Sequence, residues 1–273
     1  MTKKLGYGTA PLDAYSPSEV AARVRDLGVA KVRQDAASMF ALAVLGGASI
    51  SLGALLYTVV ITGSTLGFGA TRLLGGIGFS LGLILVAVAG GELFTGNNLI
   101  AMAWASRLVT FREVLRSWAI VYAGNLVGAL STMGLVVVGR VHEFGGDAVG
   151  ETLRAIAAHK LALEALQAFA LGVLCNALVC LAVWMTLAAR SVTDKLLVVV
   201  FPIAAFVAIG FEHSIANMFL LSWALLLDGC DQAAVVGAIS NIVVVTFGNI
   251  AGGTLLVAGV YWIIYLRKPA AER

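Results

Sequence analysis

Two glutamates interrupt stretches that otherwise carry no charge, and one of them is followed by a histidine. Glu92 sits in Gly90-Gly91-Glu92-Leu93-Phe94-Thr95-Gly96-Asn97, and Glu212 in Gly210-Phe211-Glu212-His213-Ser214-Ile215-Ala216-Asn217. His213 is the one histidine inside an apolar stretch, since His142 and His159 fall in a polar segment. An imidazole titrates near neutral pH, so a modest influence of its surroundings lets it exchange a proton with a neighbouring molecule. An ionisable group within a long apolar run is costly, which makes His213 the first functional candidate. Glu212 directly precedes it and cannot face the same way on a helix. Glu212 and Glu92 are therefore expected to be structural, accepting backbone N–H groups set free where a helix is interrupted. Asn97 and Asn217 close the two motifs.

Other chemistries lack their residues. There is no His-Glu-x-x-His, and the histidines are too scattered to hold zinc or a haem. No Gly-x-x-x-x-Gly-Lys-Ser/Thr loop is present. Cys175, Cys180 and Cys230 form no Cys-x-x-Cys pair and read as packing residues. No cofactor or metal is expected. An enzyme using His213 and Glu212 as an acid–base pair would lack a nucleophile or metal partner, and an inert scaffold would leave His213 without a reason.

The elements that position these residues must lie in a membrane. Apolar residues make up 60% of the 273 and charged ones 12%, about half the share that a soluble domain carries. Charge-free runs cover Ala36 to Thr71, Ser117 to Gly139, Ala165 to Ala189 and Gln232 to Leu266, each longer than the ~20 residues that span a bilayer. With the two runs interrupted at Glu92 and Glu212 they make six spans. From Leu196 to Phe211 the chain reaches only ~24 Å as a helix, short of the ~30 Å hydrocarbon core. Both interrupted spans must be broken helices or pass through protein-lined cavities.

Residues 1–35 form a polar tail, 36–267 the six-span domain and 268–273 a short second tail. In the first, Ser16-Pro17-Ser18-Glu19 is a helix start, and Val20, Val24 and Leu27 follow at helical spacing. An amphipathic helix at the membrane surface is expected there, and no cleavable signal, because the tail lacks an apolar core. Fourteen of the eighteen lysines and arginines fall in the tails and in the turns after the second and fourth spans. That bias places both termini in the cytoplasm. The net charge of +3 sits in short clusters between spans rather than on one face, so nucleic-acid binding is not expected.

The two glutamate motifs share the pattern Gly-x-Glu-x-x-x-small-Asn. One span later Tyr122-Ala123-Gly124-Asn125-Leu126-Val127-Gly128 matches Thr246-Phe247-Gly248-Asn249-Ile250-Ala251-Gly252 at nearly the same offset. Repeats of about 36–140 and 160–267 then hold three spans each, and an odd number inverts the second copy in the membrane. Inverted repeats with broken helices meeting at mid-depth are the architecture of transporters and channels. Glycine, 31 residues of 273, suits close packing of such spans.

The runs from Gly91 to Asn97, Gly124 to Gly128, Cys175-Asn176-Ala177-Leu178-Val179-Cys180-Leu181-Ala182 and Gly210 to Asn217 resemble the formate/nitrite transporter family. Phe211 to Phe219 and Phe79-Ser80-Leu81-Gly82-Leu83 are most similar to its formate-channel branch. The resemblance implies an all-α, aquaporin-like integral membrane fold in the bacterial cytoplasmic membrane. It also implies a homopentamer with one pore per protomer and a central hole filled by lipid.

Carried over residue by residue, the resemblance places Thr95 opposite His213. Leu83 and Leu93 would belong to the cytoplasmic constriction and Phe79 and Phe206 to the periplasmic one, with Phe94, in the loop Leu93-Phe94-Thr95 at the first break, a further constriction residue. Asn176 would lie near the histidine and Lys160 in the outer vestibule, while Asn97 is a position where members vary. The expected permeant is formate, with nitrite and hydrosulfide as alternatives, and protons are the expected second partner. Lys160 would concentrate the anion, Thr95 and Asn176 would orient it, and His213 would donate a proton to it or polarise it. Symport and simple anion flux both stay open.

Overall fold

The computed structural model describes residues 13–267; segments 1–12 and 268–273 of the expected tails lie outside the described residues. Among the described residues six helices are long and apolar enough to cross a membrane. Their apolar runs leave no backbone group to water, and in lipid only a helix satisfies every N–H and C=O within one segment. The described residues form helices and turns with no strand.

In chain order, α1 is Pro17–Arg33, α2 Ala36–Ile61 and α3 Phe68–Ala89. A 3₁₀ turn at Gly96–Ile100 leads into α4, Ala101–Ala105, and α5 is Phe111–Val138. Then come α6, Ala148–Leu161, α7, Ala165–Ala188, α8, Val192–Ile209, and α9, Ser214–Leu227. The last span is α10, Gln232–Ala251, continued through a π-helical segment at Gly252–Gly259 into α11, Val260–Tyr265. Neither α6, which lies in the polar segment with His142 and His159, nor the π segment is predicted from the sequence.

Each broken span stops in the same way. Gly90 and Gly210 take the left-handed conformation, φ 92° and 93°, which a glycine adopts at no steric cost. The next N–H turns back to close the helix, from Gly91 to the Val86 carbonyl and from Phe211 to the Phe206 carbonyl. The N–H of Glu92 then bonds to the Leu42 carbonyl of α2, and that of Glu212 to the Leu171 carbonyl of α7. The first helix of each repeat therefore stitches the break of its own broken span.

Helix α2 packs against α3 and α5, α7 against α8 and α10, and α3 against α8 where the repeats join. Glycine sets these approaches. A Cβ at Gly128 would lie 2.1 Å from the Val44 carbonyl oxygen, and one at Gly252 2.1 Å from that of Val173. Neither site admits any side chain.

Helix α1 begins with the expected cap, the Ser16 hydroxyl accepting from the Glu19 N–H and the Glu19 carboxylate accepting from the Ser16 N–H. Val20, Ala21, Val24 and Val32 are buried against the 3₁₀ turn, α4, α7 and α11, so the apolar stripe is spent on the protein itself.

Candidate permeation site

The two breaks meet at the middle of the bundle. His213 is the N-cap of α9, its Nδ1 accepting the Ala216 N–H at 3.2 Å. Nδ1 therefore carries no proton in this geometry, and the neutral ring holds its proton on Nε2. Nε2 lies 3.0 Å from Thr95 Oγ1, which comes from the other break. Both residues are buried.

Asparagines, not glutamates, satisfy the backbone freed at the breaks. Asn125 of α5 accepts the Phe94 N–H at 2.9 Å and donates to the Ala43 and Glu92 carbonyls at 2.7 and 2.8 Å. Asn249 of α10 accepts the Ser214 N–H and donates to the Gly172 and Glu212 carbonyls, each at 2.9 Å. An amide side chain offers an acceptor and two donors at once, which a carboxylate cannot do. This corrects the role expected for Glu92 and Glu212.

The glutamate side chains instead hold lysines. Glu92 Oε2 accepts from Lys31 Nζ at 2.6 Å and from Asn97 Nδ2 at 2.7 Å, and Lys31 also reaches Asn97 Oδ1 at 2.9 Å. Glu212 Oε1 accepts from Lys160 Nζ at 2.8 Å, and its Oε2 from Asn217 Nδ2 at 2.7 Å. Asn217 continues to Asn241 Oδ1, and Asn241 Nδ2 donates to the Lys160 carbonyl. Asn97 and Asn217 thus brace the two carboxylates at matching stations.

A cavity of about 270 Å³ opens beside Lys160, Glu212 and His213, and another of about 280 Å³ beside Lys31, Glu92 and Leu93. The start of α3, at Arg72, borders the first and its end, at Val86, the second, so the two vestibules open on opposite faces. Phe79 and Phe206 border the first with their rings edge-on at 5.5 Å, and the Phe206 ring stacks on His213 at 6.0 Å. Leu83 and Leu93 border the second. Phe94 borders neither: its ring packs edge-on against Trp118 and Tyr122, which takes it out of the expected constriction. Asn176 donates to the Thr95 and Asn249 carbonyls at 3.2 and 2.7 Å, so its N–H groups serve the backbone rather than a passing molecule.

Two residues were missed from the sequence. Arg72 donates to the Ala208 and Val207 carbonyls, both at 3.0 Å, and so covers the end of α8 at the edge of the first vestibule. Lys31 is the counterpart of Lys160. Lys31-Val32-Arg33-Gln34-Asp35 and Lys160-Leu161-Ala162-Leu163-Glu164 each place the lysine four residues before the N-cap of the repeat's first span. That shared spacing was the available signal, and it extends the repeat to include α1 and α6.

Two half-spans meeting inside a six-span bundle, each with its own vestibule, define a membrane channel or transporter. The pattern of the formate/nitrite transporter family matches residues 18–263, and the chain belongs to that family. It is 39% identical to the formate channel FocA of Escherichia coli strain K12 over 94% of this chain and 97% of that protein. An uncharacterised transporter of Bacillus subtilis, YrhG, is 37% identical over 94% of this chain and 96% of its own length. Among solved structures, a pentameric formate channel with formate bound is 44% identical and superposes with a TM-score of 0.77, covering 85% of this chain and 98% of that one.

Proposed function

We propose that this chain is a channel for formate and similar small monovalent anions, with one pathway in each copy of a homopentamer in the bacterial cytoplasmic membrane. The observation that carries the reading is the 3.0 Å contact between Thr95 Oγ1 and His213 Nε2, flanked on either side by a part-buried lysine–glutamate pair. Likeness to proteins named as formate channels, one of them pentameric, supports the permeant and the assembly.

An anion entering the vestibule with Lys160 meets an ammonium with three donors, one of them on Glu212. The carboxylate cancels the long-range charge, so the lysine acts as a close-range ligand rather than as a distant attractor. Between Phe79 and Phe206 on one side and Leu83 and Leu93 on the other the permeant sheds water, which is expensive for a charged species and far less so for its conjugate acid. The Thr95 hydroxyl accepts from His213 Nε2–H, which leaves its own hydrogen free for the permeant. Donors in series polarise one another, so the ring strengthens the bond from Thr95 to an anion. To hand over a whole proton the ring must first gain one at Nδ1, which breaks the bond from the Ala216 N–H and uncaps α9. Lys31, on the far side, receives the anion after the barrier, and the lysine and arginine bias makes that face cytoplasmic.

The test is flux into liposomes, comparing formate, nitrite, hydrosulfide, lactate and glycerol. Formate is expected to pass fastest and glycerol to be excluded. His213→Asn retains a side-chain cap but cannot titrate, so it should flatten the pH dependence of formate flux while native mass measurement still finds a pentamer. Thr95→Val keeps the shape without the hydroxyl and should slow formate with its pH profile kept. Equal rates for glycerol and formate, or His213→Asn with unchanged rate and profile, would refute the proposal.

A further inference from the structure

On the face where both described ends of the chain lie, and away from the two vestibules, a cleft of about 430 Å³ is lined by Arg25, Arg107 and Arg267 together with Ser106, Trp262 and Leu266. The arginines come from α1, from the turn after α4 and from the end of the last span, so the fold gathers three charges that the sequence keeps far apart. Among the described residues no acidic side chain lines the cleft. Asp26 takes only the Nε of Arg25, at 2.8 Å, which leaves that guanidinium's other donors. Arg107 holds the left-handed conformation, φ 60°, a strained state for a residue with a side chain. It is fixed there by its N–H to the Trp104 carbonyl and by the Leu108 N–H to the Ala103 carbonyl. A bond from Trp262 Nε1 to Ser106 Oγ, 3.0 Å, ties the last span to that turn.

The surroundings identify the ligand class. The cleft closes the end of a helix that crosses the bilayer, which puts it at the depth of the lipid head groups. Beside it Trp104 and Phe111, 48% and 52% exposed with ring centres 5.5 Å apart, form an aromatic surface with Leu108 of the kind that sits at a membrane interface. Basic pockets between spans bind the phosphates of anionic lipids, guanidinium forks matching phosphate oxygens in pairs. A soluble phosphate would use the three arginines but not the apolar apron.

We infer that this cleft binds the phosphate of an anionic phospholipid, with the acyl chains lying along Trp104, Leu108 and Phe111. The site is separate from the permeation pathway and does not depend on what permeates.

The test is thermal unfolding of the full-length protein in detergent with dioctanoyl phosphatidylglycerol, dioctanoyl phosphatidylcholine or glycerol 3-phosphate, with native mass measurement of retained lipid. Phosphatidylglycerol is expected to raise Tm several-fold more than phosphatidylcholine at equal concentration and to remain bound. The double variant Arg107→Gln with Arg267→Gln, which leaves the β-carbon at position 107 unchanged, should lose that preference while assembling to the same mass. Arg107→Lys with Arg267→Lys keeps the charges and should retain it. Equal response to the two lipids, or a preference surviving in the glutamine variant, would overturn the inference. Glycerol 3-phosphate acting as strongly as phosphatidylglycerol would overturn the lipid as its source.

Discussion

Lys160 and Glu212 show what a single pair does for this site. Their side chains are 12% and 3% exposed, so the Glu212 carboxylate is shut off from bulk water and depends on the ammonium beside it. Removing one partner of such a pair costs ~3–5 kcal/mol because the remaining charge stays buried and unpaired, whereas replacing both costs much less. Lys160→Met is therefore expected to lower the unfolding free energy by several kcal/mol, and Lys160→Met with Glu212→Gln to recover most of the loss. A double-mutant cycle by chemical denaturation measures the coupling. If the two single effects simply add, the pair does not hold the break together. Formate flux should stay low in the double variant, since the ammonium that meets the anion is gone. Lys31 and Glu92, placed alike in the other repeat, should give a cycle of the same sign.

At the scale of elements, the spans were legible because a bilayer demands long apolar runs, and the breaks because a lone glutamate in such a run has few explanations. What filled the breaks was not. Asn125 and Asn249 stood out in the sequence as markers of the repeat, yet their bonds join helices far apart in the chain, and no local pattern reports them. Lys31 was counted only toward orientation, because a lysine on a helix of mixed polarity looks like a solvated one until α1 is docked. The same lack of contrast hid α6, and a span apolar on most sides carries no periodicity to betray a π segment. Among the site residues, the side-chain contact between Thr95 and His213 matches the arrangement that the resemblance implied, while Phe94 and Asn176 turned to packing and backbone. Glycines separate on the same ground. At Gly128 a Cβ would meet backbone at 2.1 Å, but at Gly134, on the same helix, it meets nothing within 4 Å. Gly128→Ala should cost at least ~1–3 kcal/mol by overpacking or prevent assembly, and Gly134→Ala should be neutral or stabilise by ~0.5–1 kcal/mol through helix propensity. Thermal unfolding of the two purified variants distinguishes them, and equal behaviour would mean that α2 and α5 do not meet as closely as described.

For the whole molecule the informative quantity is which loops share a face. Arg25 of α1 and Arg267 after α11 line one cleft, and Trp262 bonds Ser106, so both described ends and the turn after the first broken span lie together. Asp147, at the start of α6, belongs to the opposite face, because α6 lines the vestibule that the start of α3 borders. Basic residues concentrate on the first of these faces, and a membrane protein is inserted with that face toward the cytoplasm. A reporter fused after Arg267 or inserted after Arg107 should then report the cytoplasm, and one inserted at Asp147 the periplasm. Insertion at Asp147 is structurally mild, since the residue is exposed and lies between helices. The two halves of the experiment test different links. Asp147 and the C-terminus reporting the same side would overturn the three crossings between them and with them the inverted repeat. Opposite sides in the reverse sense would leave the fold intact and overturn only the orientation, making the vestibule with Lys31 the outer mouth and reversing the order in which an entering anion meets the two lysines.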